Sequence, residues 1–246
     1  MTVNYWPGSS SGKHCPILFQ PGRQLKMNQS AIALNPVFEH VQKADLALVM
    51  TSIYQPHINL VIWQRQLQKT LQDYIDALTQ GLNALQLRTI IAPAEVSAWL
   101  GGLLPEDPQR HLFIEDVSQL VEMYADLFDL NVVGLCLSLI NETMCPRFHT
   151  DHLACRLVTT YHGKGSEWLQ EDNVDRSKLG AGANGLPDHL SGIYRHHQYI
   201  QQLQQGEVGL FKGDGWINSQ VNGIVHRSPH INKTDKRLLL TLDFAE

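Results

Sequence analysis

The chain has 246 residues, 43% of them hydrophobic and 17% charged, and a formal net charge of −5. That is enough apolar mass for a core, it argues against a disordered chain, and it leaves no basic footprint for nucleic acid. The length suits one large domain or two small ones.

Residues 1–30 are polar and turn-rich and are expected to form an irregular arm. They carry no charged patch followed by an apolar run, so no signal peptide is expected, and no stretch approaches the roughly 18 apolar residues of a membrane span. Cys15, Cys136, Cys145 and Cys155 are scattered without a CxxC pair. Reduced thiols and a cytoplasmic location are therefore expected.

Residues 36–50, opening with Pro36, suit a short helix. "HINLVIW" (57–63) has strand character. Leu67, Leu71, Tyr74, Ile75, Leu78, Leu82 and Leu85 then recur at helical spacing, as expected of a core-facing stripe. Gly101 and Gly102, followed by "LPEDPQRH", predict a break. A helix is predicted over 116–130, where Asp116 and Gln119 have capping-box spacing.

Beyond Leu130 the texture changes. "NVVGLCLSLI" and "LACRLVTTYH" read as strands, separated by "CPRFHTDH". Glycine-rich, charged segments follow, then "SGIYRHHQYIQQLQQ", read as a helix or an insertion. "EVGLFKG", "NGIVHRS" and "KRLLLTLDF" read as three short strands. The expected class is α+β, with a mostly helical N-terminal portion (31–115) and a β-rich portion (116–246) built as a sandwich or jelly roll.

Residues two apart in a strand point the same way, so His149 and Asp151 can aim an imidazole and a carboxylate at one point. The β-rich half offers a third donor, His226. Two His and one carboxylate make the facial triad that leaves positions open on an octahedral ion, as non-haem Fe(II) oxygenases require. Arg237 lies eleven residues after His226, and its guanidinium is suited to a two-pronged grip on a carboxylate. His152 has the opposite parity and is expected outside the ligand set; Cys145 and Cys155 are expected as packing thiols, Arg156 as a salt-bridge residue, Trp168 as a core or pocket aromatic, and Lys212 and Asp214 as residues near the mouth of the barrel.

"FHTDH" together with "EVGLFKGDGWINSQVNGIVHRSPHINKTDKRLLLTLDF" resembles the double-stranded β-helix of Fe(II)/2-oxoglutarate-dependent oxygenases over about residues 131–246. "NLVIWQR", "RLVTTYHGKGSEWL", "GLFKGD" and "VHRSP" resemble, more narrowly, a bacterial domain family of unknown function. The superfamily resemblance implies a double-stranded β-helix (jelly roll), with Fe(II) held by His149, Asp151 and His226 and 2-oxoglutarate anchored by Arg237. Many members carry Ser or Thr two residues after the anchoring Arg; here Leu239 stands there, and Thr159, Tyr161 and Thr241 are the candidates for its role. The ligand set also suits zinc, so the alternative is a non-catalytic metal-binding protein of zinc or iron homeostasis on the same fold. The residues name neither the substrate nor an oligomeric state.

Overall fold

The computed structural model describes residues 40–232 and 234–245, all within the unit Phe38–Glu246. The expected arm at 1–30 and the first residues of the expected 36–50 helix lie outside the described residues. From His40 onward that helix is not formed. Val41–Ala44 is a strand, β1, followed by a 3-10 helix at Ala47–Tyr54. β1 runs parallel to β2, Leu60–Trp63, and Gln64 N–H donates to Ala44 O at 2.8 Å. These tertiary hydrogen bonds outweigh a weak local helix preference.

Helix α1, Lys69–Gly81, buries Leu71, Tyr74, Ile75 and Leu78, as the apolar stripe predicts. The stripe runs past the helix: Leu85 opens strand β3, Leu85–Ile91. Helix α2, Val96–Leu103, contains Gly101 and Gly102, so the break falls after them. Helix α3 spans Arg110–Phe128, six residues longer at its start than expected. Asp116 is therefore mid-helix and caps nothing. Its carboxylate instead takes both prongs of Arg65, at 2.7 and 3.0 Å.

The remaining strands are β4 Val133–Ile140, β5 Cys155–His162, β6 Glu167–Leu169, β7 Ile200–Gln202, β8 Val208–Lys212, β9 His226–Arg227 and β10 Arg237–Phe244. Between β6 and β7 lie four 3-10 turns and a one-turn helix, α4, Asp188–Ser191. Beyond Ser191, the last residue of α4, "SGIYRHHQYIQQLQQ" holds the 3-10 turn His197–Tyr199 and β7 in place of the expected helix.

The strands form a seven-stranded sheet, β1-β2-β8-β5-β10-β4-β3, and a three-stranded sheet, β7-β6-β9, which an isolated bridge from His149 to His226 extends. From β4 onward the chain alternates between them: β4 in the large sheet, the His149 bridge in the small, β5 large, β6 and β7 small, β8 large, β9 small, β10 large. The portion expected to be mostly helical supplies β1, β2 and β3 to the large sheet as well as α1 and α2. The described chain is thus a mixed α and β protein with a sheet-rich core.

The alternation along β5 explains the layering. Cys155, Leu157 and Tyr161 join the cluster with Phe113, Val117, Leu120 and Tyr124 of α3. Val158, on the other face, joins Leu60, Ile62, Trp168, Leu203, Phe211 and Ile224, a cluster drawn from both sheets. One face of the large sheet is sealed by helices, and the other is left to build a site.

Candidate metal and anion site

His149 and His226 face each other as an antiparallel bridge, and Asp151 follows in the loop beyond. One ligand atom from each of the three lies within 4.8 Å of the others, a grouping suited to a metal ion. The convergence expected from strand alternation is present, but its origin differs. Only His149 is bridge-paired, while Asp151 is held by its loop. The backbone N–H of Gly213, Asp214 and Gly215 donates to Ala154 O, Asp151 O and Leu153 O at 2.9, 2.8 and 3.2 Å. Gly213 is required there, because a Cβ at this position would sit 2.1 Å from Leu153 O and 2.6 Å from Asp151 O.

Hydrogen bonding sets how the imidazoles present themselves. His149 Nδ1 lies 2.9 Å from Arg147 O, and His226 Nδ1 lies 3.1 Å from Ile224 O. A carbonyl only accepts, so each Nδ1 carries a proton and Nε2 is the nitrogen each ring has left for a metal. Both Nε2 atoms lie 3.7 Å from an Asp151 oxygen. Burial pushes the His226 pKa down to about 4, with Asp151 pulling it up and His149 pushing it further down. Its ring is thus neutral near pH 7, the form that can ligate a metal.

Arg156, on β5, forks onto Asp243 of β10 at 2.7 and 2.9 Å and reaches Asp151 Oδ2 with Nη1 at 2.9 Å. It is a salt-bridge residue, as expected, but its partners put it against the triad.

Arg237 opens β10 and is 1% exposed. Its hydrogen-bond partners are neutral: Thr160 Oγ1 at 3.1 and 3.3 Å and Ser166 Oγ at 2.9 Å. Among the described residues no carboxylate pairs with it. Burial alone lowers its pKa, to about 10. A guanidinium taken out of water without a counter-ion is costly, and the arrangement gains stability when an anion arrives.

Arg237, His149 and His226 line one cavity of about 780 Å³. Its apolar lining includes Val158, Leu239 and Phe244, and His152, Cys145 and Thr241 also border it. His152 therefore reaches the site without joining the ligand grouping.

Two residues expected beside the co-substrate are elsewhere. Tyr161 lies on the helix-facing side of β5, in the cluster with Phe113, and its hydroxyl donates to Asp116. Thr159 is fully buried, an even number of residues from Cys155, Leu157 and Tyr161, with its hydroxyl unpaired. The hydroxyls at Arg237 come from Thr160 and Ser166, neither of which the sequence reading singled out. A bulge between Leu238 and Leu239 shifts the pairing, so that Leu238 faces His162 and Leu239 faces Thr160. Parity counted from Arg237 therefore misleads. Ser166 follows "GKG" beyond β5 and carries no strand signal at all.

Cys155 is buried on the helix side and its thiol pKa is raised by burial, consistent with packing. Lys212 is buried as well, donating to Gln55 O at 3.0 Å with its ammonium 4.7 Å from the centre of the Trp216 ring. Asp214 borders a second cavity of about 440 Å³ with Thr150 and Arg176; Lys212 does not border it. Trp168 packs between the sheets.

The fold and the cavity define a mixed α and β protein with a buried cationic end and a His/Asp/His grouping suited to a metal. Residues 44–243 match the model of a family described as a protein of unknown function (DUF1826), and the chain belongs to that family. Its sequence matches none of the curated proteins. Among solved structures it is similar, at low identity, to several oxidising enzymes. One is a dioxygenase for auxin oxidation from rice, at 12% identity over 83% of this chain and 82% of that one, TM-score 0.48. Another is a dioxygenase for auxin oxidation from Arabidopsis thaliana in complex with 2-oxoglutarate, at 10% identity over 84% and 92%, TM-score 0.47. A third is a prolyl-4-hydroxylase from Pseudomonas putida, at 12% identity over 82% and 100%, TM-score 0.44. No helix among the described residues is long and apolar enough to cross a membrane.

Proposed function

We propose that this protein is an oxygenase that uses a non-haem Fe(II) ion, 2-oxoglutarate and O₂ to oxidise an organic substrate. The alternation of β4 to β10 between two sheets supports reading them, with the His149 bridge, as a double-stranded β-helix. The donor set of two imidazole Nε2 atoms and one carboxylate fits a divalent ion. The observation that carries the proposal is Arg237: a buried guanidinium with no carboxylate partner among the described residues, lining the same cavity as His149 and His226.

In this reading His149, Asp151 and His226 hold the ion. With its co-substrate bound, the ion supplies the oxidising power for attack on a C–H bond. The chain's own residues bind and orient. Arg237 takes the distal carboxylate of 2-oxoglutarate, and Thr160 and Ser166 fix the plane of its guanidinium in place of a hydroxyl at Leu239. Val158 and Leu239 keep that end of the cavity apolar, which strengthens the ion pair once it forms. A pure metal store on the same fold gives Arg237 nothing to bind, and this favours the oxygenase over the metal-homeostasis alternative.

The test is anaerobic titration of the metal-free protein with Fe(II) and then 2-oxoglutarate. A visible metal-to-ligand charge-transfer band is expected, strongly weakened in Arg237→Ala. Tight zinc binding with no such band would overturn the proposal.

A further inference from the structure

We infer that Arg156 is a positioning residue that occupies Oδ2 of Asp151 and so limits this carboxylate to one free oxygen. The inference rests on the function proposed above and deepens it.

Each residue of the triad has a partner behind it, but the partners differ in kind. His149 and His226 are oriented by main-chain carbonyls, Arg147 O and Ile224 O, which no substitution removes. Asp151 lies in a loop, and the one donor to its carboxylate among the described residues is Arg156, at 2.9 Å on Oδ2. Asp151 is 13% exposed at its side chain, so water is largely kept from it.

Arg156 is itself aimed. It stands directly across the β5–β10 ladder from Asp243, and the two-pronged contact at 2.7 and 2.9 Å fixes the plane of the guanidinium. One nitrogen, Nη1, remains for Asp151. The chain Asp243–Arg156–Asp151 thus transmits the geometry of the interior strand β10 to the loop carboxylate.

With Oδ2 engaged, Oδ1 is the oxygen left to an ion. A carboxylate released from Arg156 can turn and offer both oxygens. That would fill a position which a chelating co-substrate needs. Arg156 therefore keeps the ion's open face open, and its loss should fall on co-substrate binding more than on metal binding.

Cobalt(II) serves as the probe, since its ligand-field spectrum reports coordination and needs no turnover. In Arg156→Gln, cobalt affinity is expected to stay within about tenfold of wild type, the lower end of what loss of an outer partner costs. The ligand-field bands should shift, and 2-oxoglutarate affinity of the cobalt-loaded protein should fall at least about tenfold further than metal affinity does. Asp243→Asn should move both readouts the same way but less. Arg156→Lys, which keeps the charge but not the fork, should resemble Arg156→Gln and guards against a variant that fails to fold. A merely structural role predicts equal losses of metal and 2-oxoglutarate affinity with unchanged bands, and that result would overturn the inference. Wild-type protein that binds neither cobalt nor 2-oxoglutarate would instead sink the proposed function itself. Wild-type protein that binds both, with spectra identical in all three variants, would sink the role of Arg156 alone.

Discussion

His149 and His226 sit opposite each other and exchange both backbone hydrogen bonds, at 3.0 and 2.9 Å, with their ring centroids 4.6 Å apart. The main chain sets this approach, so the rings do not depend on each other for position. His149→Ala and His226→Ala should each keep the bridge and the fold. Each should lower divalent-metal affinity more than about 100-fold, beyond the loss expected when only an outer partner is removed. Equilibrium dialysis with zinc and with Fe(II) measures it, and wild-type retention by either variant would remove that His from the ligand set.

Arg237→Met should separate binding from stability. Removing a buried charge that has no counter-ion relieves its desolvation penalty, which offsets the loss of the bonds to Thr160 and Ser166. The ligand-free variant should therefore melt no lower than wild type. Its affinity for 2-oxoglutarate should drop at least about 30-fold, the low end of the cost of truncating one partner of a buried charge pair. Thermal melts with and without 2-oxoglutarate test both halves.

Asp116→Ala leaves Arg65 without its two-pronged partner and Tyr161 without its acceptor. Breaking a buried ion pair in this way costs about 3–5 kcal/mol. Tyr161→Phe removes one hydroxyl on the helix side of β5 and should leave metal and 2-oxoglutarate affinities unchanged. Denaturant titration reads the first effect and calorimetry the second.

Burial lowers the Lys212 pKa from its ordinary 10.5 to about 8, with Cys155 opposing. Between these two pH values the unfolded chain binds more protons at this site than the folded one. Stability contributed by Lys212 should therefore rise with pH from about 8 to 10.5, the folded state being penalised below that window. The difference between wild type and Lys212→Met in denaturation midpoint, followed from pH 7.5 to 10.5, isolates this group. A difference that does not change with pH would mean the amine titrates normally.

Gly213→Ala would drive a Cβ against Leu153 O and Asp151 O, both backbone atoms that cannot swing aside. The loop carrying Asp151 must move. Metal affinity and melting temperature should fall together, whereas Gly102→Ala, where a Cβ meets nothing within 4 Å, should leave metal affinity unchanged and, being within α2, should not lower the melting temperature.

The site was legible where chemistry is local. His149, Asp151 and His226 do come together as one grouping, and His149, His226 and Arg237 line one cavity. The contacts behind them were not legible. Thr160 reaches Arg237 only because a bulge at Leu238/Leu239 alters the pairing, and no residue type announces that bulge. Asp116 has the spacing of a helix cap, yet its partner Arg65 lies 51 residues away. The expected helix at 36–50 gave way, within the described residues, to a parallel strand whose partner, β2, starts at Leu60. Local periodicity found α1 and most of α3. It missed whatever depends on a residue far along the chain.

β10 lies between β5 and β4 in the large sheet and carries both Arg237 and Asp243. It leaves the ribosome after both of its neighbours. β5 and β4 must wait, side by side but unjoined, for the strand that closes the gap. The guanidinium of Arg237 at the end of the cavity and the Asp243 carboxylate that aims Arg156 are both put in place by that single insertion. Such late, long-range pairing makes for slow folding. The bridge between His149 and His226 involves no residue of β10, so the metal-suited grouping and the cationic end of the cavity are assembled by different strands.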